Sequence, residues 1–518
     1  MNRQSHALLW LAPWQNPSGY CSEALAFARG LAGSVPLQAV DLARTKSPAF
    51  VEGLPDGTRH LLRSILVPEA DFAGKFIVQH LPGSGFAPIP KAAYCIGRTM
   101  FETDRLPAEW VRKCNLLDEI WVPSRFNLET FAASGVHPDK LVVVPGAVDE
   151  TLFAPGLCQP LPLPRRAACN FLSVFEWSTR KGWDVLLAAY LREFSAEDDV
   201  CLYLRVYLTN QPDTDARTAV TERVRQFAGT LGLGAKPLPR FEILSEQIPT
   251  RELPGLYRAV DCLVAPSRGE GWGRPHHEAM MMGVPVIAPH WSGNTEFMNP
   301  DNSYPLEYEL AEVAGVEPEF ALYRGHRWAL ASERHLRQLL RRVQQNPAEA
   351  RERGAKAREH VLRHFSLQPV AGIVRGRLET LELRLSTPAC PAAVARILPV
   401  PIAACSQPVH VAWEGAFLDF GSLAHVNRQL TAQLARLPQL KISCIGTTAP
   451  QRPLPAALQP TARSLAARPP ADAQVLVRHA WPPDWSASVK PLVLMQPWEF
   501  GALPEQWVRQ AEQVLRLG

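Results

Sequence analysis

Short apolar runs rich in valine, isoleucine and leucine recur along the chain, each closed by glycine, proline or serine and followed by a stretch with helical spacing. Runs of this length without apolar–polar alternation predict strands buried on both faces, as in a parallel sheet covered by helices. The clearest are His6 to Ala12, Phe76 to Val78, Lys140 to Val148, Asn170 to Phe175, Val200 to Leu208, Val260 to Val264 and Val284 to Ala288. Helices are expected from about Ser22 to Leu31, over Glu252 to Tyr257, and from His276 to Met282, where Gly283 stops the turn. A strand through Met100 and Phe101 is expected to deliver Glu102 to its carboxyl end. Residues 327 to 364 read as one helical region, its arginines interspersed with glutamates as on a solvated face.

The stretch from Val260 to Phe297 organises the rest. A strand runs into the glycine loop Gly269, Glu270, Gly271, Trp272, Gly273, and Pro275 then stands at the first helical position. Strand, loop, helix and strand make a βαβ unit with a ligand loop at the carboxyl end of its first strand. Glu270 is placed in the loop and Glu278 in the first helical turn. The helix start between them offers unpaired backbone N–H groups and a positive dipole end, which suit a phosphate. Each carboxylate can accept hydrogen bonds from hydroxyls, one from a sugar and one from a ribose. Singly, Glu278 would simply complement the helix dipole and Glu270 would be a solvated loop acid. Together they describe a site for a nucleotide-diphosphate sugar.

The order Glu270, Gly271, Trp272, Gly273, Pro275, Glu278, Ala279, Met280, Gly283, Pro285 resembles the E-x7-E signature of retaining glycosyltransferases of family 4, with Trp272 for the usual phenylalanine. The resemblance implies the GT-B fold, an α/β architecture of two Rossmann-like domains facing a cleft. It also implies the site residues. Glu270 and Glu102 take catalytic positions, Glu102 standing where relatives often have a histidine, so that acceptor orientation, donor contact and simple turn capping all stay open for it. Gly19, between Ser18 and Tyr20, falls in the loop near the donor diphosphate, although the glycine is equally explained by the turn. Lys181-Gly182 matches the family's phosphate-holding element. The upstream arginine position reads as Phe175, and Arg180 is expected to supply that charge. Gly271, Trp272, Gly273 and Glu278 are expected on the donor, and Leu244 and Glu246 near the nucleobase. Asp118 to Ser124 resembles the family's D-x-I-W-V-P-S strand. No essential metal and no cofactor are implied, because cations and helix termini neutralise the leaving diphosphate.

At 518 residues, with 47% apolar and 20% charged residues, the chain has globular composition and length for about three domains. A net charge of +4 demands no nucleic-acid partner. Ten cysteines without metal-type spacing fit reduced thiols in a cytoplasm. No apolar run approaches the ~20 residues of a membrane span. The implied partners are a nucleotide-sugar donor and a glycan or lipid-linked acceptor, with peripheral contact at the inner membrane face open.

Proline-rich stretches divide the chain into 1–155, an acceptor-side domain; 166–385, a nucleotide-sugar domain with a returning helix; 386–408, a linker; and 409–518. The last part reads as a partial repeat of the first domain. Val409 to Trp413, a glycine loop, and a helix from His425 to Leu437 repeat the organisation of residues 6–31. Trp498, Glu499, Leu503, Pro504, Trp507 and Val508 repeat the spacing of Phe101, Glu102, Leu106, Pro107, Trp110 and Val111. The repeat lacks donor elements, so a part of a tandem glycosyltransferase, or a tail docking on a partner, is expected. The reading is a retaining hexosyltransferase. An epimerase or phosphorylase on the same fold, or a non-catalytic sugar-binding scaffold, remain the alternatives. A nicotinamide dehydrogenase is disfavoured, since neither glycine loop has the G-x-G-x-x-G frame.

Overall fold

The computed structural model describes residues 7–208, 215–314, 318–386, 408–418, 422–438, 440–447, 464, 469–479 and 492–495. The chain divides into two compact units, Met1–Thr387 and Pro388–Gly518.

The first unit holds two lobes. One is built on a parallel sheet of β1 (Leu8–Ala12), β2 (Leu37–Asp41), β3 (Phe76–His80), β4 (Tyr94–Arg98), β5 (Glu119–Val122) and β6 (Leu141–Val143), in the order β2-β1-β3-β4-β5-β6. Its crossovers are α1 (Gly19–Leu31), α2 (Pro48–Glu52), α3 (Asp56–Ile65), α4 (Ala108–Asn115) and α5 (Arg125–Ser134). The second lobe has β7 (Cys169–Glu176), β8 (Val200–Tyr207), β9 (Arg240–Leu244), β10 (Cys262–Val264), β11 (Val286–Pro289) and β12 (Tyr304–Leu306), in the order β12-β11-β10-β7-β8-β9. Its helices are α6 (Trp183–Glu193), α7 (Ala216–Thr230), α8 (Leu253–Arg258) and α9 (Arg274–Met281). Central strands such as β1 and β10 are buried along their whole length, as unbroken apolar runs require. Two parallel Rossmann-like sheets facing each other make this a GT-B fold.

Two features depart from the sequence reading. The strand expected through Met100 and Phe101 ends earlier, at Arg98. Arg98 is drawn into a buried ion cluster below, and the chain then turns, so Glu102 sits on a loop past the strand. Residues 327–364 are not one helix. Arg327–Ala331 forms β14, which pairs antiparallel with β13 (Tyr308–Glu312), because Trp328, Ala329 and Ala331 bury their side chains there. Only then follow α10 (Glu333–Gln345) and α11 (Pro347–Phe365). The returning helix α12 (Leu367–Ser386) belongs structurally to the first lobe, where Val370, Val374, Leu378 and Leu381 join the core of α1 and β1.

In the second unit, β15 (Val409–Gly415), α13 (Ser422–Leu434), β16 (Leu440–Gly446), β17 (Val475–His479) and β18 (Leu492–Met495) form a parallel sheet in the order β16-β15-β17-β18. The first sheet reads β2-β1-β3-β4 over its opening strands. Trp10 pairs with Val78, two residues before His80, and Trp413 pairs with Val477, two residues before His479. The segment from Trp498 to Val508 lies outside the described residues.

Candidate active site

The chemistry-bearing residues collect at the carboxyl ends of the second lobe's strands. After β7 the chain makes a tight turn, Thr179–Lys181, closed by Gly182 in the left-handed region at φ 67°. After β10 comes the glycine loop. These two loops face each other, and Lys181 Nζ donates to both oxygens of Glu270, at 2.6 and 2.9 Å. Arg180 Nη1 donates to the Gly269 carbonyl at 2.8 Å, and Arg180 lies 3.6 Å from the Glu102 carboxylate and 3.7 Å from that of Glu270. Glu102 is thus brought across from the first lobe.

The electrostatics follow from burial and pairing. Burial raises the Glu270 carboxyl, but Lys181, then Arg180 and His276, outweigh it and hold it at about 2. Burial lowers the Lys181 ammonium, against the pull of Glu270. The Arg180 guanidinium is raised: burial opposes its charge, and Glu102 and Glu270 more than compensate. Burial drops His276 to about 4 although Glu270 pulls it up, so the imidazole is neutral near neutral pH. Its Nδ1 has no hydrogen-bond partner.

The start of α9 is shaped by glycine. Gly273 adopts φ 89° immediately before the helix. A Cβ at Gly271 would lie 2.5 Å from Met100 Cγ, so only glycine admits the first lobe this close. Glu278 falls one turn further into the helix than expected, with no acidic residue in the first turn. Its Oε1 accepts from Arg274 at 2.9 Å and its Oε2 from the Tyr257 hydroxyl at 2.8 Å.

Glu278 and Arg274 edge a cavity of about 600 Å³ between the lobes, walled by α1, the α2–α3 region and the ends of β8 and β9. Ser245 and Gln247 line it. Leu244 packs instead against the apolar core and Glu246 is exposed, and neither is among the residues lining this cavity. Gly19 opens α1 with nothing within 4 Å of where a Cβ would be and no positive φ, so the turn itself does not require glycine. Its neighbours Pro17 and Ser22 line the cavity. Trp272 turns its side chain inward. Its indole is buried, donates to His277 Nδ1 at 3.1 Å and packs on Phe297 and Phe365. The ring is thereby taken up by the core. Phe175 is core, leaving the charge to Arg180.

Four residues or groups escaped the sequence reading. Arg274 occupies an unspecified motif position. Ser292, buried at φ 75° and ψ −161°, accepts from the Glu270 N–H at 3.2 Å. Arg268 holds Asp184 at the start of α6 through two bonds of 2.7 and 2.9 Å. Beneath the cleft, Glu23 of α1 binds His80 Nε2 and Arg98 Nη2, each at 2.8 Å, and all three side chains are buried. Burial raises the Glu23 carboxyl, but Arg98 and then His80 overcome this and hold it well below its usual range. Arg274 meets Glu278 at i,i+4 spacing within α9, a signal the sequence does carry; the others are brought together only by tertiary packing. Among the described residues no group of three or more His, Cys, Asp or Glu is placed to hold a metal ion.

Residues 168–312 match the family described as "Glycosyl transferases group 1". The chain is similar to a D-inositol 3-phosphate glycosyltransferase of Acidothermus cellulolyticus, 27% identical over 184 residues, 35% of this chain and 39% of the relative. It is also similar to a mannosylfructose-phosphate synthase of Agrobacterium fabrum, 28% identical over 116 residues, 22% of this chain and 24% of the relative. The matches therefore span well under half the length of these curated relatives. Among solved structures, Anabaena HepE in complex with UDP and glucose superimposes with a TM-score of 0.51 at 14% identity, covering 72% of this chain and 100% of that one. A glycosyltransferase of Rickettsia africae gives 0.50 at 15% identity, covering 74% and 100%. At these identities the structural likeness speaks to the GT-B fold.

Proposed function

We propose that this chain is a retaining glycosyltransferase that moves a hexose from a nucleotide-diphosphate sugar to an acceptor hydroxyl. The observation that carries the reading is the buried Glu270–Lys181–Arg180 group beside the start of α9, with Glu278 one turn beyond. The group 1 match over the same residues and the named activities of the relatives support it. So does the UDP and glucose held by the Anabaena neighbour of the same fold.

In this reading the diphosphate lies on Lys181, Arg180 and the N–H groups opening α9. Lys181 exchanges its bond to Glu270 for one to a phosphate oxygen, and Glu270 is then free to accept from the sugar hydroxyls. Glu278 accepts from the ribose. The bond from the anomeric carbon to the phosphate oxygen breaks, and its electrons stay on the diphosphate. The cations stabilise the charge that develops there. The acceptor oxygen bonds to the anomeric carbon on the same face, and its proton passes to the departing phosphate oxygen. Glu102, sharing Arg180 with Glu270, orients the acceptor. The cations carry the stabilisation without a metal.

The acceptor is a glycan or a lipid-linked saccharide in this reading. No described helix is long and apolar enough to cross a membrane, so contact with a lipid acceptor would be peripheral. The test is a panel of nucleotide sugars incubated with the protein and scored by nucleoside diphosphate release, with product anomers read by proton NMR. Release that Glu270→Ala abolishes, with the anomeric configuration kept, supports the reading. Release unaffected by that change, or inverted product, contradicts it.

A further inference from the structure

The cavity beside Glu278 contains one charge that the fold does not neutralise. Of its three arginines, Arg29 pairs with Asp149 at 3.1 Å and Arg274 with Glu278 at 2.9 Å. Arg205 has no carboxylate partner among the described residues, its Nε bonds to nothing, and it is only 6% exposed. Tyr207 stands beside it, its ring centroid 5.5 Å from the guanidinium carbon and its hydroxyl within the reach of the guanidinium, and it brings no negative charge. A buried cation without a counter-charge and with an unsatisfied N–H is costly, which makes it a residue that a ligand acceptor would complete.

The sheet order says which part of a ligand that is. Glu270 follows β10, Lys181 follows β7, Arg205 stands on β8, and Ser245 follows β9, and these strands lie side by side in the order β10-β7-β8-β9. A donor whose sugar meets Glu270 and whose diphosphate meets Lys181 runs its nucleoside over β8 and β9. Arg205 lines the same cavity as Glu278, whose carboxylate accepts from the Tyr257 hydroxyl. The cavity there is closed in by apolar walls, with Leu54 and Phe153 among its lining and Ser245 and Gln247 as the polar edge. That shape suits a flat ring read at its rim.

We infer that Arg205 is the base-reading residue of the donor site and selects a nucleotide with a keto base, uracil or guanine. The inference rests on the nucleotide-sugar reading above. A guanidinium offers N–H donors in a rigid fork and no acceptor. A ring carbonyl answers those donors. Adenine and cytosine present an amino group at the corresponding edge, setting donor against donor and leaving both unpaired, which is the strong form of discrimination.

The experiment is calorimetric titration of the full-length protein with UDP, GDP, CDP and ADP, repeated with Arg205→Met and Arg205→Lys. For wild type, UDP or GDP is expected to bind at least about tenfold more tightly than CDP and ADP, the scale of one mismatched base edge. Arg205→Met should reduce that ratio to within about threefold, and Arg205→Lys, a point charge without the fork, should fall between. The unliganded melting temperature of Arg205→Met should stay within about 2 °C of wild type, because no internal ion pair is lost. A preference that survives Arg205→Met overturns the inference. So does a loss of more than about 5 °C without ligand, which would make Arg205 a structural residue. Equal binding of all four diphosphates by wild type overturns the base reading alone, whereas binding of none overturns the donor site itself.

Discussion

Ser292 Oγ lies 3.1 Å from the carbonyl oxygen of Glu102 and 2.7 Å from that of Glu270, so one buried hydroxyl joins the loops that carry the site's facing carboxylates. Glu102 comes from the first lobe and Glu270 from the second. Ser292 does this in a backbone conformation, φ 75° and ψ −161°, that is nearly restricted to glycine and costs a side-chain-bearing residue on the order of 1–3 kcal/mol.

Two substitutions separate the strain from the tie. Ser292→Ala keeps the strain and loses the hydroxyl, whereas Ser292→Gly loses both. The glycine variant should therefore be more stable than the alanine variant by about 1–3 kcal/mol, measured by denaturant melts. Donor turnover should fall in both to a similar extent. Equal stability of the two would show that the strain is not felt, and full activity in Ser292→Gly would show that the tie is not needed.

His276 makes stability depend on acid. Its folded value of about 4 lies below the ordinary 6.5, so below 6.5 the unfolded chain binds more protons. The stabilisation is complete above pH 6.5 and is lost as pH falls toward 4. Replacing it by glutamine should leave melting near pH 7 little changed and gain on the order of 2 kcal/mol relative to wild type near pH 5. Parallel wild-type and His276→Gln curves across that range would contradict this. Glu270, held at about 2, acts in a lower window: its contribution is present above its ordinary value near 4.5 and disappears as pH falls through 2.

Donor turnover should survive a chelator, because in the proposed reading Lys181 and Arg180, gathered beside Glu270, neutralise the leaving diphosphate. Assays with and without EDTA check this. Loss of activity restored by manganese would contradict it.

Much of this site lay open in the sequence because it is local. Glu270, Gly273 and Glu278 fall within one βαβ unit, and the apolar runs around them set strand, loop and helix. What stayed hidden depends on distant parts of the chain. Ser292 meets Glu102 across 190 positions. Arg205 matters only because no carboxylate reaches it, and an absence has no motif. Trp272 is expected on the donor from its place in the E-x7-E motif, and the apolar cluster of Phe297 and Phe365 takes its ring inward. The strand expected at Met100 stops at Arg98, whose guanidinium pairs with the buried Glu23 of α1, a partner 75 positions away.

The second unit repeats that corner with its charges removed. Asn427 of α13 contacts His479 at 2.6 Å, as Glu23 of α1 contacts His80, and Met495 pairs with His479 in the register where Arg98 pairs with His80. We propose that it plays no part in donor chemistry. A chain ended after Ser386 should keep nucleotide binding and turnover. One ended at Phe365 should not fold, because it strips Val370, Val374 and Leu378 from the first lobe's core. Loss of donor binding in the longer, folded form would make the second unit part of the active one.

The central claim is that Glu270 and Glu278 bracket a nucleotide-diphosphate sugar, and the most direct test is calorimetric titration of wild type and Glu278→Ala with UDP- and GDP-sugars. The reading predicts saturable binding by wild type, weakened about 10- to 100-fold by Glu278→Ala, the worth of a charge-assisted hydrogen bond to the ribose. Equal affinity in the two proteins, or no binding of any nucleotide sugar to wild type, would contradict it.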